Sequence, residues 1–148
     1  MTRRESREAA LKYIFEQEFD AARTPEEIIE TACGERGDEA PSAFARALFF
    51  AVSENRGDYD EKIAAAADNW RFDRISKVAL AVLRLACAEL YCFPEIPVEI
   101  TVNEALELAR KYGDEKSVPF VNGVLGKLAA GTEKPQAKKK PRPEEQPQ

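Results

Sequence analysis

The sequence predicts an all-α fold of seven helices in two packed helical subdomains. Three observations carry that expectation. Apolar residues recur at three- and four-residue spacing in nearly every segment, the period of an amphipathic helix rather than of a strand. The punctuation consists of helix caps and stops rather than two-residue hairpin turns. The segment from Ser76 to Cys92 is apolar on both faces, as befits a helix at the centre of a fold.

Each element follows from its own residues. The first helix covers about residues 3–19, with Leu11, Ile14 and Phe15 inward. A second begins at Thr24-Pro25-Glu26-Glu27, where Thr24 caps, Pro25 suits the first helical position and Glu27 completes a capping box; it ends near Gly34. Phe44, Ala47, Leu48, Ala51 and Val52 form the stripe of a third helix. The pattern breaks at Asn55-Arg56-Gly57-Asp58, and a fourth helix with Ile63, Ala67 and Trp70 follows. The fifth is the doubly apolar segment, interrupted only by Arg84 and Glu89. Pro94 and Pro97 bound a sixth with Val102, Ala105, Leu106 and Ala109 inward and Gly113 as its C-cap. The seventh carries FVNGVLGKL. Three helices precede the Gly57 break and four follow it, so subdomains of about residues 1–56 and 57–130 are expected, with 131–148 a disordered Lys/Pro/Gln-rich tail.

Composition narrows the function. With 148 residues, 44% of them hydrophobic, the chain can bury a real core, and no apolar run reaches the roughly 18 to 20 residues of a membrane span. The charged start MTRRESREAALKY lacks the apolar run of a secretory signal, so a cytoplasmic location is expected. There is no histidine, and Cys33, Cys87 and Cys92 leave one cysteine over in any pairing. Histidine general-base chemistry is thereby excluded, a zinc site has poor ligand supply, and the cysteines read as small packing groups. No catalytic residue, cofactor or metal is expected. Net charge is −5, yet residues 131–148 carry +2 and the body opens with Arg3, Arg4 and Arg7.

Two features stand apart from ordinary packing. On a helical wheel Arg4 and Arg7 lie within about 40° of the line through Leu11, so guanidinium groups continue the core stripe. A buried arginine is costly, which predicts that the first turns overhang the bundle and face a groove or ligand. A frayed, solvated terminus with local pairing to Glu5 and Glu8 fits the same residues. In the last helix Val121, Leu125 and Leu128 make one inward stripe, while Phe120 falls about 100° to its side. That position suits peripheral packing or a platform on which an unpaired base stacks. Lys127 shares its face, and Lys116 does too if the helix begins by about residue 115. Gly123 in mid-helix asks for a packing or contact reason.

The blocks RRESREAALKYIF, AVLRLACAEL, IPVEITVNEALELARKYG and FVNGVLGKL occur in the order found in the NusB family of bacterial transcription antitermination factors, which the chain resembles over about residues 3–130. The resemblance implies two three-helix bundles, no catalytic activity, and binding of single-stranded boxA RNA in ribosomal RNA transcripts. It also implies the partner NusE, a small ribosomal subunit protein, and a place in the RNA polymerase antitermination complex. It points to Arg3, Arg4, Arg7 and Phe120 as RNA-contacting residues, and the surrounding chemistry adds Lys116, Asn122 and Lys127. The chain departs from the family pattern at Phe15, where a tyrosine is usual, and at Ala79 and Leu80, where an acidic–basic pair is usual; these three are expected on the NusE-facing side. Two other readings fit a NusB-like fold: a protein-interaction module that has lost RNA binding, and an accessory domain of ribosomal RNA modification.

Overall fold

The computed structural model describes residues 1–68 and 72–132. Trp70 and the tail from residue 133 lie outside the described residues. All regular structure among the described residues is helical: α1 (Arg3–Glu18), α2 (Pro25–Glu30), α3 (Ala43–Ala66), α4 (Lys77–Cys92), α5 (Val98–Tyr112) and α6 (Ser117–Ala130). A π turn, Thr31–Glu35, extends α2, and a 3-10 turn, Phe72–Arg74, precedes α4.

The starts of these helices are written in side chains. Thr24 accepts from the Glu27 backbone N–H at 3.1 Å while Glu27 Oε1 accepts from the Thr24 backbone N–H at 2.8 Å, the reciprocal cap expected there. An equivalent box between Thr2 and Glu5 starts α1, so its first turn is capped rather than frayed. Ser42 and Ser76 cap α3 and α4, each accepting from a backbone N–H three residues on at 3.1 Å.

Six helices replace the expected seven because the third and fourth are continuous. Asn55 has φ −117° and ψ 20°, which kinks α3 without ending it. Its side-chain Nδ2 donates to the Ala51 carbonyl at 2.8 Å, satisfying the acceptor that the distorted backbone would leave. Gly57, part of the apparent break, sits inside the helix. The α6 helix tolerates Pro119 because this residue lies in the first turn, where a backbone N–H has no intrahelical partner. Gly113 does cap α5, but with an extended backbone rather than a left-handed one. A Cβ there would stand 2.8 Å from the Ala109 carbonyl oxygen, so close approach explains the glycine.

The α4 helix is central: every residue from Ala79 to Leu90 is buried, and the helix packs on α1, α3, α5 and α6. Leu11, Ile14, Leu48, Val52, Ile63, Ala105, Ala109, Val121, Leu125 and Leu128 join one contiguous core around it. Ala47 and Cys92, expected inward, are exposed, and Thr101 and Leu108 are buried in α5 beside the expected stripe. Burying two charges in α4 requires partners for each. Arg84 is held by Asp60 at 2.8 and 2.9 Å and by Glu18, tying α4 to α3 and α1. Glu89 is held by Arg7.

Candidate functional site

The arginines of α1 divide by depth. Arg3 is exposed and its guanidinium carbon lies 4.0 Å from the centroid of Phe44, a ring that packs edge-on against Phe93. Arg4 is exposed and makes a two-pronged bond to Glu104 of α5 at 3.1 and 2.8 Å. That pairing holds the Glu104 carboxyl below its ordinary value, with Arg7 adding to the effect. Arg7 corrects the expected overhang. It is 5% exposed, and its Nε donates to Glu89 Oε1 at 2.7 Å. The wheel placed Arg7 on the core line rightly; a buried carboxylate on the central helix lets it stay there. Arg7 therefore braces the first turn, and Arg3 and Arg4 are the members of the group on the surface.

Phe120 is half-buried at the start of α6, resting on the core and dividing two grooves. One, about 300 Å³, runs past Ala67, Asp68, Gly123 and Lys127. The other, about 190 Å³, lies between the start of α6 and the segment leading into α4, past Arg74, Ser76, Ala79, Lys116 and Ser117. Lys127 is half-exposed and paired with Asp68. Lys116 is exposed and has helical φ and ψ, because α6 starts at Ser117 with Val118 already helical. The Asp114 carboxylate accepts from the Ser117 backbone N–H at 2.9 Å and holds this start in place. Gly123 borders the first groove, and a Cβ on it would meet nothing within 4 Å, so helix packing does not account for it. Asn122 is exposed about 160° round α6 from Phe120 and borders neither groove.

The two expected halves of an RNA surface are not side by side. Glu89, which holds Arg7, is ten residues along α4 from Ala79, which borders the Phe120 groove. The rise of a helix puts these positions about 15 Å apart.

A third surface is apolar. Leu11, Phe15, Phe19, Val78, Ala81 and Tyr112 line a groove of about 570 Å³ between α1, α4 and the end of α5. Phe19 is 65% exposed and packs edge-on against Phe15 at 5.0 Å. Phe15, which departs from the family pattern, thus lines this apolar groove. Ala79 and Leu80 are both buried and neither lines this groove; from α4 its wall is the half-buried Val78 and the buried Ala81. Periodicity missed the groove because Phe15 counted as core; the run of Phe15 and Phe19 one turn apart was the available signal. Among the described residues, no cluster of three potential ligands could hold a metal ion, and no helix is long and apolar enough to cross a membrane.

A family model described as NusB family matches residues 4–130. The chain belongs to the NusB family. It is 40% identical over 135 residues to the transcription antitermination protein NusB of Geobacillus kaustophilus, covering 90% of this chain and 100% of that one. The solved NusB structure of T. maritima superposes with a TM-score of 0.80 at 36% identity, covering 93% of this chain and 96% of the other. A crystal structure of the antitermination factors NusB and NusE in complex with dsRNA matches with a TM-score of 0.74 at 25% identity, over 88% of this chain and 98% of that one. The all-helical NusB fold and the family assignment agree with what the four sequence blocks implied.

Proposed function

We propose that this chain is an RNA-binding antitermination factor that acts in the cytoplasm on ribosomal RNA transcripts, binding a single-stranded boxA-type element together with NusE inside the antitermination complex of RNA polymerase. The observation that carries this reading is Phe120: a half-buried ring anchored on the core, standing between two open grooves that are edged by Lys116 and Lys127. A half-buried ring anchored on the core and bordering two grooves suits base stacking, worth roughly 1–3 kcal/mol per base, and flanking cations suit the phosphates on either side. Arg3 and Arg4, exposed at the start of α1, extend the contact to a longer stretch of strand. The Lys127–Asp68 and Arg4–Glu104 pairs open when phosphate takes the place of the carboxylate, an exchange that costs little at exposed positions. Asn122, on the far flank of α6, contributes only to strand that wraps past the helix.

NusE docks in this reading on the apolar groove of Phe15 and Phe19, where the exposed Phe19 ring, backed by the half-buried Phe15, supplies the aromatic anchor typical of protein interfaces. The presence of two distinct surfaces on one small chain favours the RNA-plus-partner reading over a protein-interaction module alone. Subdomains 1–56 and 57–130 meet in this account at the Asn55 kink and share one core.

Anisotropy of a labelled boxA RNA, measured with and without NusE over a range of salt, tests the proposal. Affinity falls steeply with salt, rises with NusE and drops at least several-fold in Phe120→Ala. Indifference to both salt and Phe120→Ala contradicts it, and capture of NusE without any RNA binding revives the interaction-module reading.

A further inference from the structure

We propose that Arg74 and Lys116 form a phosphate clamp on the α4 side of Phe120, so that the ring and the clamp grip one nucleotide by its base and its backbone. The clamp rests on the RNA reading above and adds to it a residue, Arg74, from outside the helix that carries Phe120.

Charge accounting singles out this pair. Among the described residues every other lysine and arginine is engaged, either by a carboxylate, as Arg4, Arg84 and Lys111 are, or over an aromatic ring, as Arg3, Lys12 and Arg46 are. Arg74 and Lys116 have neither kind of partner, although the chain as a whole carries −5 and has acidic side chains to spare. Both are exposed, and they border the same groove of about 190 Å³ from two different segments, the 3-10 turn before α4 and the residue just before α6. Two like charges set beside one cleft repel in the free protein and are relieved by an anion placed between them. Among the described residues lining the cleft, the one carboxylate, Asp114, pairs with neither cation and accepts from the Ser117 backbone N–H at 2.9 Å. Ser76 Oγ is likewise committed to the Ala79 N–H.

The kind of anion follows from the neighbours. A groove this shallow and edged by Phe120 fits a phosphodiester whose base turns onto the ring. The Arg74 fork offers two parallel donors to its oxygens and Lys116 a point charge. Because a phosphodiester presents the same group whatever its base, the clamp sets the register of the strand on Phe120 and carries no base preference of its own.

The full chain and a fluorescein-labelled single-stranded boxA-type RNA, with NusE present, test this. Arg74→Gln and Lys116→Gln each weaken binding by about threefold near physiological salt and lower the slope of log K against log salt by about 0.7, with the double variant losing about twice that slope. Arg110→Gln, at an exposed arginine on α5, serves as the control and leaves both quantities unchanged. Unchanged thermal melts and unchanged NusE affinity show that the loss is local. If Arg74→Gln matches the control while Phe120→Ala still weakens binding, the clamp is wrong and the RNA reading stands. If Arg74→Gln loses NusE with an unaltered salt slope, the clamp is also wrong. If the unmodified chain binds no RNA even with NusE, both readings fall.

Discussion

At the scale of single residues the arginines of α1 show how partners decide role. Arg4 and Arg7 are three residues apart and share nearly one direction on the helix, yet one is a surface cation and the other is buried against Glu89. Glu89→Ala leaves the Arg7 guanidinium charged and buried without its hydrogen-bonded carboxylate, with only Glu104 at 3.9 Å remaining, which is expected to cost about 3 kcal/mol in chemical denaturation. Arg4→Ala, at an exposed pair, is expected to leave the melting temperature almost unchanged while reducing RNA affinity. Equal destabilisation by the two would show that burial does not separate them. Gly123 makes a second contrast. With open space at its Cβ position, Gly123→Ala is expected to stabilise α6 by roughly 0.5–1 kcal/mol and yet weaken RNA binding, because the methyl group narrows the groove beside Phe120. A stabilised variant that binds RNA as before would remove the contact reason for this glycine.

At the scale of elements the sequence is informative where one residue type does one job. The Thr24 cap, the doubly apolar α4 and the Val121, Leu125, Leu128 stripe all follow from local rules, and all stand where those rules place them. The misjudged features turn on particular side-chain bonds, some local and some between segments distant in sequence. Asn55 and Gly57 look like a helix break, because the bond from Asn55 to the Ala51 carbonyl that carries the helix through is invisible in composition. On α5, Glu107 pairs with Arg110 three residues on, while Lys111 crosses to Glu8 of α1, a contact that spacing within one helix does not show. Arg7 looks like an overhang until Arg84 and Glu89 are read together: two charges on an otherwise apolar central helix demand opposite charges from its neighbours. For the candidate site, Phe120 was legible from the wheel and the FVNG block. Arg74 was not, since it lies more than forty residues from Phe120 and only the fold brings the two together.

At the scale of the whole molecule the ion pairs act as cross-ties between helices. Glu18 shows the balance: burial alone would push its carboxyl up, but Arg84, Lys77 and Arg56 together hold it below the ordinary value of 4.5. Glu104 beside Arg4 and Glu8 beside Lys111 are also held low. A carboxyl whose folded pKa is depressed stabilises the fold above its unfolded pKa and loses that contribution as pH falls through the folded value. Stability is therefore expected to be level near neutrality and to decline below about pH 4.5, seen as a falling urea midpoint. Because the buried residues of all six helices form one cluster, that unfolding is expected to be a single transition by circular dichroism and fluorescence alike.

The central claim is that single-stranded RNA lies across Phe120, and it is tested most directly by following backbone amide resonances of the full chain as a boxA-type RNA is added. The account predicts that the largest shifts fall on Ser117, Phe120, Val121, Gly123 and Lys127 of α6 and on the segment from Arg74 to Ala79, with smaller shifts at Arg3 and Arg4. Shifts confined to the Phe15 and Phe19 groove, with α6 unperturbed, would contradict it.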